Sequence, residues 1–355
     1  MSGTHEGSSD PRGGFKGERR ARPTMGDVAT LARVGLTTVS RVMNGVTTVD
    51  PELAARVHRA AEALDYRPNL TASSLRRVDG KTRTIGLLLE NVANPFSSAL
   101  HRAVEDVARP LGVGVLAGSL DEEPAREREL VLRLVGRRVD GLIIVPAAAD
   151  HGYLIAERRA GTAIVFADRP PRFFDADTVI TDNDTGAREG ARHLVAHGHC
   201  RIAYLGDLRT IATSSQRHQG FRAELSEAGV PVDDSLIRLD LHDIEAAESA
   251  AAELLTRPQP PTALFTGQNL ITIGAVRALR RLGLHHEVAL LGFDDVLLAD
   301  LLDPPVSVVA QDPAAMGREA AQLLFRRLEG DRSPSQHIVL PTRLIARGSG
   351  EIRPR

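Results

Sequence analysis

The stretch at residues 25–45, MGDVATLARVGLTTVSRVMNG, contains two short apolar patterns that differ in helical phase. Asp27 can cap a first helix, in which Val28, Leu31 and Ala32 share one face at i, i+3 and i+4 spacing. The pattern breaks after Ala32, where a glycine lies three residues further on. It therefore predicts a short helix that is followed by a tight turn.

The second half of the stretch predicts another short helix with one apolar and one polar face. Its apolar face consists of Val39, Val42 and Met43. Its opposite face consists of Thr37, Arg41 and Asn44 at i, i+4 and i+7, with Ser40 beside them. Such side chains donate hydrogen bonds to phosphate oxygens, and a guanidinium can also bind O6 and N7 of guanine. Two short helices of this kind are typical of a helix-turn-helix that enters the major groove of DNA.

A third helical pattern helps to choose between two interpretations of this pair. The spacing alone fits equally well a helical hairpin whose Thr and Ser side chains face water. Asp50 and Pro51, however, are a cap and a first helical position, and they precede a narrow apolar stripe. The stripe consists of Leu53, Val57, Ala60 and Leu64. Three helices of this size can share one small core, which favours the helix-turn-helix.

The chain of 355 residues is long enough for two or three packed domains, and its charge is distributed unevenly along them. Residues 1–85 contain 14 Lys and Arg against 9 Asp and Glu, a local charge of +5 within a chain of net charge -2. A basic terminal module on a near-neutral or acidic body suits binding to a polyanion. An Arg-rich solvated tail would give the same distribution.

The sequence carries no signal for a membrane or for disulfides. No run approaches the roughly 18 consecutive apolar residues of a membrane helix, and residues 1–23 lack the apolar centre of a signal peptide. The single cysteine, Cys200, has no partner for an internal disulfide. We therefore expect a cytoplasmic protein that makes no membrane contact and associates with the nucleoid.

From Thr84 onward, continuous apolar runs alternate with helical patterns. The runs are residues 85–89, 112–116, 141–145, 163–166, 201–205, 263–265 and 288–291. Apolar strands separated by helices indicate parallel sheets that are covered on both faces. Their number predicts an α/β core of two doubly wound parallel-sheet subdomains with a ligand cleft beyond the carboxyl ends of the strands.

Several short motifs near the start of the chain resemble the DNA-binding domain of the LacI/GalR family of bacterial transcription regulators. They are Asp27–Ala29, Thr38–Val42, Asn44–Gly45 and Tyr66–Asn69. The resemblance implies that Leu36, Thr37 and Arg41 read base edges. It also implies that phosphates are bound by Thr24, Thr38, Ser40 and Asn44. The partner would be double-stranded operator DNA.

The chain departs from the family pattern at the turn. The family usually has Gly where Arg33 stands and Ser where Gly35 stands. A non-glycine residue tolerates a positive φ at a modest cost, so Arg33 could adopt it. The alternative is that the glycine has moved within the turn, to Gly35.

A linker follows the third helix, at residues 69–83. Asn69 could cap one or two helical turns, and a helix this short is marginal in water. In the family this segment is the hinge helix, which orders on operator DNA and pairs with its twin. The resemblance implies that Leu75 is a wedge in a minor-groove base step, with Ala72 beside it. A plain flexible linker is the alternative.

The resemblance continues through the core, which in this family is periplasmic-binding-protein-like. Its marks are residues 94–96, 168–170, 182–187, 198–202, 216–221, 292–295 and 311–312. By position, the effector-contacting residues are implied to be Phe96, Asp168, Arg217, Gln268 and Asp294, and a carbohydrate is the first candidate for the small-molecule effector. Carboxylates accept from vicinal hydroxyls, and a guanidinium binds a ring oxygen or a carboxylate.

One departure affects this cleft. The family's usual Asn-Asp is here Gln268-Asn269, so one acceptor charge is lost and the side chain of Gln268 is longer. This weakens the case for an ordinary hexose. An unusual saccharide, another small polar molecule or no effector at all are the alternatives.

Other motifs do not form a convincing site. The spacing of Gly112, Gly114 and Gly118 is wrong for a dinucleotide loop, and His197, His199 and Cys200 match a strand-entry turn of the family rather than a metal site. We therefore expect no catalytic residues, no metal and no cofactor. A solute-binding protein or an enzyme that uses the same cleft remains the alternative function.

These expectations define a domain organisation and a function. We expect a disordered tail at residues 1–22, an all-α helix-turn-helix domain at 23–68, the hinge and linker at 69–83, the effector-binding and dimerisation core at 84–350, and a tail at 351–355. The predicted protein is a homodimeric transcriptional regulator, more often a repressor in this family, with a tetramer as an alternative assembly.

Overall fold

The computed structural model describes residues 22–43, 46, 48–67 and 81–355. The chain divides into two compact units, Met1–Gly80 and Lys81–Arg355. The predicted fold class is confirmed: an all-α helix-turn-helix domain precedes an α/β core of two doubly wound parallel-sheet subdomains.

The first unit contains three helices, α1 (Met25–Ala32), α2 (Leu36–Met43) and α3 (Pro51–Ala63). Helix α3 begins as predicted, with Asp50 as its cap and Pro51 in its first turn. Helix α1 begins earlier than predicted, because its cap is Thr24 rather than Asp27. Asp27 is the third helical residue and accepts a hydrogen bond from the Thr24 amide at 2.7 Å. The two residues form a reciprocal capping box, which satisfies two backbone donors at once.

The three helices share one small core. Val28, Val39 and Val57, one from each helix, are fully buried. Ala29, Ala32, Val42, Ala60 and Ala61 complete the set. The prediction that Leu31 belongs to this core was wrong, because its surface is 52% exposed and Ala29 packs inward instead. Small alanine side chains let short helices approach closely, which is how so small a unit fills its centre.

The turn between α1 and α2 places a non-glycine residue in the left-handed region. Arg33 has φ 51° and ψ 51° and ends α1, whereas Gly35 has no positive φ. The alternative that Gly35 takes over the positive φ was therefore wrong. Gly35 instead directly precedes α2, and its carbonyl accepts from the amides of Thr38 and Val39 in the first turn of that helix. The Arg56 guanidinium stabilises the turn by donating to the Ala32 carbonyl at 2.6 Å.

The second unit contains two six-stranded sheets. In chain order the strands are β1 (Thr84–Leu89), β2 (Gly114–Ser119), β3 (Gly141–Ile144), β4 (Ala163–Asp168), β5 (Asp177–Thr181), β6 (Ile202–Leu205), β7 (Ile237–Arg238), β8 (Ala263–Thr266), β9 (Ala289–Phe293), β10 (Ser307–Ala310), β11 (His337–Leu340) and β12 (Arg343–Ile345). The sheets have the orders β2-β1-β3-β4-β5-β11 and β7-β6-β8-β9-β10-β12. All neighbours pair in parallel except β10 and β12.

Eight helices pack on these sheets within residues 81–355. They are α4 (Pro95–Ala108), α5 (Pro124–Gly136), α6 (Ile155–Arg159), α7 (Asn183–Ala196), α8 (Ala212–Glu227), α9 (Ile244–Leu255), α10 (Asn269–Leu282) and α11 (Pro313–Leu328). Side-chain caps at Asn94, Asp182, Asp243, Gln268 and Asp312 begin five of them. Because α11 packs on the first sheet and α7 on the second, the chain crosses between the halves near residues 182, 311 and 341.

The strand order fixes where a cleft can form. In each sheet the order reverses at the first strand, β1 in one half and β6 in the other. Ligands of doubly wound sheets bind outside the carboxyl ends of the strands at this reversal. Two such ends are therefore available to line one cleft.

Candidate functional site

Helix α2 presents a continuous outward face in the first unit. Leu36 is 55% exposed, Thr37 and Arg41 are also exposed, and Thr38 and Ser40 are half-buried. Val39 and Val42 are buried on the opposite face, so the core fixes the rotation of the helix. An arginine on an exposed helix face can make the two parallel hydrogen bonds by which proteins read guanine.

Two predicted DNA contacts already have partners within the protein. The Arg41 guanidinium donates to the Thr48 hydroxyl at 2.8 Å, and the Thr24 hydroxyl donates to Asp27 at 2.7 Å. Their roles toward bases and phosphates stay predictions. Asn44, Asn69, Ala72 and Leu75 lie outside the described residues.

A cavity lies in the second unit, between the two sheets. Its lining includes all five predicted effector contacts: Phe96, Asp168, Arg217, Gln268 and Asp294. Phe96 lies in the first turn of α4, and Asp168 ends β4. Arg217 lies in α8, Gln268 caps α10, and Asp294 directly follows β9. Both halves of the core therefore contribute to one cleft.

Arg217 is held by a set of buried partners. Its Nε donates to the Asn183 side-chain oxygen at 2.7 Å, and its Nη1 donates to the Gly267 carbonyl at 2.8 Å. Nη1 also lies 3.5 Å from Asp294, and the guanidinium stacks 4.0 Å from the centre of the Phe293 ring. These contacts fix the position of the guanidinium and leave Nη2 free of any hydrogen bond within the described residues.

Asp294 is a hydrogen-bond acceptor that is buried from solvent. Burial raises the pKa of its carboxyl group, and the charge of Arg217 opposes this shift. Gln311 donates to one carboxylate oxygen at 2.6 Å. The backbone of Asp294 is left-handed, with φ 68°, a conformation that is found at ligand sites more often than elsewhere.

Sequence reasoning missed Arg169. Its guanidinium is buried and donates to Asp168 at 3.2 Å, to Glu122 at 2.7 Å and to the Pro146 carbonyl at 3.2 Å. Its position directly after Asp168, within a motif that resembles the family, was an available signal.

Sequence reasoning also missed an acidic cluster around His242. The imidazole Nδ1 lies 2.8 Å from Asp207, and Nε2 lies 4.0 Å from Glu90 in the other half of the core. The hydrogen bond with Asp207 raises the pKa of His242. Burial, followed by the charge of Glu122, raises the pKa of Glu90. No local pattern marks these residues, because only the fold brings them together.

The departure at Gln268-Asn269 has a structural consequence. Asn269 donates from Nδ2 to the side-chain oxygen of Asn94 at 2.8 Å, which links the two halves of the core. Gln268 donates to Asp207 at 3.3 Å, while its own oxygen caps α10. The lost acceptor charge is thus replaced by a contact across the cleft.

The residues near His199 form a structural contact. His199 is fully buried, and its two nitrogens lie 2.9 Å from the Thr262 hydroxyl and 2.7 Å from the Ile352 carbonyl. Cys200 is exposed. Among the described residues, no group of three His, Cys, Asp or Glu side chains is arranged to hold a metal ion. Across those same residues, no helix is both long and apolar enough to span a bilayer.

Comparison with known proteins identifies the family of both parts of the chain. The model of the family described as "Bacterial regulatory proteins, lacI family" matches residues 24–69, and that of the "Periplasmic binding protein-like domain" matches residues 191–350. The HTH-type transcriptional regulator DegA of Bacillus subtilis (strain 168) is 33% identical over 336 residues, which cover 92% of this chain and 98% of DegA.

Two solved structures are similar over nearly the whole chain. One is the Lac repressor dimer bound to operator and the anti-inducer ONPF, with a TM-score of 0.80, 25% identity and coverage of 93% of this chain and 99% of that chain. The other is a complex of the transcriptional regulator CelR with cellobiose, with a TM-score of 0.68, 31% identity and coverage of 92% and 100%.

A three-helix unit with an exposed donor face, followed by a two-halved core with a polar cleft, defines a DNA-binding transcriptional regulator. The chain belongs to the lacI family of bacterial regulatory proteins. Its relatives named above are regulators of transcription.

Proposed function

We propose that the protein is a homodimeric transcriptional repressor that binds a pseudo-palindromic operator and is controlled by a small polar ligand in the core cleft. The observation that carries this proposal is the cleft between the two sheets, in the same chain as a helix with an exposed donor face. A protein with this role works in the bacterial cytoplasm, in contact with the nucleoid.

The DNA contacts follow from the exposed face of α2. Leu36, Thr37 and Arg41 are proposed to read bases, since they are its most exposed side chains. Thr24, Thr38 and Ser40 are proposed to hold phosphates, together with Asn44. In a dimer, two copies of α2 would read the two halves of the operator.

The ligand is proposed to carry several hydroxyl groups. Four carboxylates line the cleft: Glu90, Asp168, Asp207 and Asp294. Both lining guanidiniums are already paired with carboxylates. Acceptors therefore outnumber free donors, which suits a molecule that donates hydrogen bonds. A sugar or a sugar derivative has this chemistry, and the similar CelR structure contains cellobiose.

Control of DNA binding is proposed to act through the angle between the two halves. Asn269 with Asn94, and His242 with Glu90, connect the halves directly across the cleft. A ligand that binds one arrangement better than the other shifts the equilibrium between them. The proposed output is the spacing of the two hinge segments at residues 69–83, of which 69–80 lie outside the described residues.

The dimer is proposed to form through a leucine surface, defined as Leu297, Leu298 and Leu301. These side chains are 81%, 56% and 73% exposed. Three exposed leucines within five residues are typical of an interaction surface. The segment is fixed at its start, where Asp295 pairs with both terminal nitrogens of Arg347 at 2.7 Å. The similar Lac repressor is a dimer, which supports a second copy of this chain as the partner.

A solute-binding protein and an enzyme are the two alternative functions that would use the same cleft. A solute-binding protein has no use for a helix-turn-helix unit, and the relatives that match nearly the whole chain are regulators. Both observations favour the regulator. Turnover of a small polar substrate by the purified protein would support an enzyme.

Selection of bound fragments from the genome of the source bacterium tests the proposal. The full chain is incubated with sheared genomic DNA at physiological salt, and the retained fragments are sequenced. We expect enrichment of one inverted repeat upstream of a few genes. Retention of fragments without a shared motif would contradict the proposed operator binding.

A further inference from the structure

The segment between α2 and α3 provides a partner for the arginine of the exposed donor face. Nη2 of Arg41 donates to the Thr48 hydroxyl at 2.8 Å, although the two residues are seven positions apart. Both side chains are exposed, so the contact lies on the surface of the helix-turn-helix unit. The face of α2 that is proposed to read DNA therefore continues into this segment.

The segment that carries Thr48 is attached to both flanking helices. The Val46 amide donates to the Arg41 carbonyl at 3.0 Å, which joins the segment to α2. Val49 packs against the small core of the unit, and Asp50 caps the start of α3. The backbone on either side of Thr48 is therefore fixed before DNA is bound.

The hydrogen bond with Thr48 leaves the guanidinium of Arg41 able to bind a base. A guanidinium has five N–H donors, of which Thr48 accepts from one. Two parallel hydrogen bonds to O6 and N7 of guanine need one hydrogen on each of two neighbouring nitrogens. Among the described residues, no acceptor other than Thr48 contacts the Arg41 side chain, so these donors remain available.

The partner of Arg41 is neutral, which is favourable at a DNA surface. A carboxylate in the same place would hold the arginine too, but its charge would repel the phosphates and cancel the charge of the guanidinium. Among the described residues, no carboxylate pairs with Arg41. The two arginines that line the core cleft, in contrast, are both paired with carboxylates.

A fixed orientation of Arg41 favours discrimination between bases. A long, exposed arginine side chain can turn toward a phosphate or toward a different base, and it loses rotamer freedom when it binds any of them. The bond with Thr48 restricts the side chain in advance, which lowers the entropic cost of the contact that fits this orientation. Contacts that need another orientation must first break the bond, so they become less favourable.

We propose that Thr48 is a positioning residue for base recognition: its hydroxyl holds the Arg41 guanidinium in the orientation that binds guanine. Thr48 acts through Arg41 rather than through a DNA contact of its own. This adds a residue outside α2 to the determinants of operator specificity. The proposal rests on the proposed function, because it takes Arg41 as a base-reading residue.

Titrations of the full chain against a panel of duplexes test this role. The probes are the inverted repeat enriched from genomic fragments, versions of it that each carry one symmetric base-pair change, and a random duplex. Discrimination at a position is the ratio of the dissociation constants of the changed and the original repeat. The position at which Arg41→Ala loses discrimination identifies the base pair that Arg41 reads.

Thr48→Val removes the hydroxyl and keeps the shape of the side chain. It should lower discrimination at the Arg41 position about fivefold, which corresponds to about 1 kcal/mol, and change binding to the random duplex less than about twofold. Thr48→Ser keeps the hydroxyl and should retain the discrimination of the wild type. Thr30→Val is the matched control, because Thr30 is an exposed threonine of α1 whose hydroxyl donates to the Gly26 carbonyl at 3.0 Å. It should leave discrimination unchanged.

A double-variant cycle separates positioning from a direct contact of Thr48 with DNA. In an Arg41→Ala background, Thr48→Val should change every dissociation constant less than about twofold, because the guanidinium to be positioned is absent. The same loss in both backgrounds, or an equal loss on all duplexes, would overturn the proposal. Thr48 would then bind DNA directly or stabilise the unit as a whole.

The same titrations distinguish a failure of this proposal from a failure of the proposed function. If Arg41→Ala loses discrimination at one position and Thr48→Val retains it, base reading by Arg41 stands and only the positioning role is overturned. If Arg41→Ala loses discrimination at no position, Arg41 does not read bases, and both roles are overturned.

Discussion

Asp168 and Asp294 occupy equivalent positions in the two halves of the core, and the charge of Asp168 contributes to the raised pKa of Asp294. Asp168 ends β4 and Asp294 follows β9, which hold the same place in the two strand orders. Their φ angles are 67° and 68°. The pair therefore brings one left-handed carboxylate from each half to the same cleft.

Asp168 pairs with Arg169, whereas Asp294 pairs with Arg217. The second pair leads to a prediction about protein stability. Arg217→Met should lower the free energy of unfolding by about 3–5 kcal/mol, because Asp294 is then buried without its cation. Adding Asp294→Asn should recover about 1 kcal/mol or more, since no unpaired charge remains. Urea denaturation of the two single variants and the double variant gives the coupling. Strictly additive losses would contradict the pairing.

The His242 cluster predicts a pH dependence. Its hydrogen bond with Asp207 raises the pKa of His242 above the usual value of about 6.5, so the stabilisation is complete below that pH and is lost as pH rises through the folded-state pKa. Burial raises the pKa of Glu90 as well. Its contribution to the free energy of unfolding therefore also falls with rising pH, beginning at a lower pH because a carboxyl group has a lower usual pKa than an imidazole. The two groups act in the same direction.

His242→Gln isolates this effect from other histidines. Burial lowers the pKa values of His151, His199 and His218, so these groups give the opposite slope in both proteins. We expect the difference in urea midpoint between wild type and variant to shrink from pH 6 to pH 8. A difference that stays constant or grows over this range would show that His242 gains no proton affinity on folding.

The turn at Arg33 predicts a stabilising substitution. Arg33→Gly should stabilise the first unit by about 1 kcal/mol, because glycine adopts a positive φ without a Cβ clash. Arg33→Ala removes the same charge but keeps the clash, so it is the matched control. Amide hydrogen exchange of Val39 and Val57 in the full chain measures the change. If glycine and alanine gave equal protection, backbone strain at this position would be negligible.

The leucine surface predicts the assembly of the protein. Leu301→Asp places a charge in the proposed dimer contact and should convert the protein to a monomer in sedimentation velocity at micromolar concentration. Leu132→Asp is the control, since Leu132 is 52% exposed on α5, away from the leucine surface. Dimers of unchanged stability for Leu301→Asp would exclude this surface as the contact.

The exposed arginine of α2 predicts a loss of sequence discrimination. Arg41→Ala should weaken operator binding by about 1–3 kcal/mol and affect random DNA much less, because a guanine contact carries specificity. Arg59→Ala removes the same charge from an exposed position of α3 and should weaken both DNAs by a small, similar amount. Titrations of labelled operator and random duplex provide the comparison. Equal losses on the two DNAs for Arg41→Ala would contradict base reading.

The predictable parts of the fold are the helices and strands whose apolar residues form a clear pattern over a short stretch of sequence. The three short helices follow from apolar spacing and from Pro51, and the central strands follow from continuous apolar runs. The missed strands are short or lie toward the outside of a sheet: β5, β7, β10, β11 and β12. Strand β11, for example, alternates exposed and half-buried residues, so it lacks the apolar run of a central strand.

The candidate site was predictable only where family motifs mark it. Asp168, Arg217 and Asp294 were assigned by position, and they line one cavity. Glu90 and His242 are far apart in sequence and have no shared pattern, so their proximity depends on the packing of the two halves. The exposure of Leu31 was missed for a related reason, because which flank of a short helix is buried depends on its neighbours.

The central claim is that this chain recognises a specific double-stranded site through paired copies of α2. The most direct measurement is a titration of the full chain at about 0.15 M salt against the enriched inverted repeat, a single half-site and a shuffled repeat. We predict that the inverted repeat binds at least about a thousandfold more tightly than the shuffled repeat, with the half-site between them. Equal affinity for all three duplexes, with and without added sugars, would contradict the account.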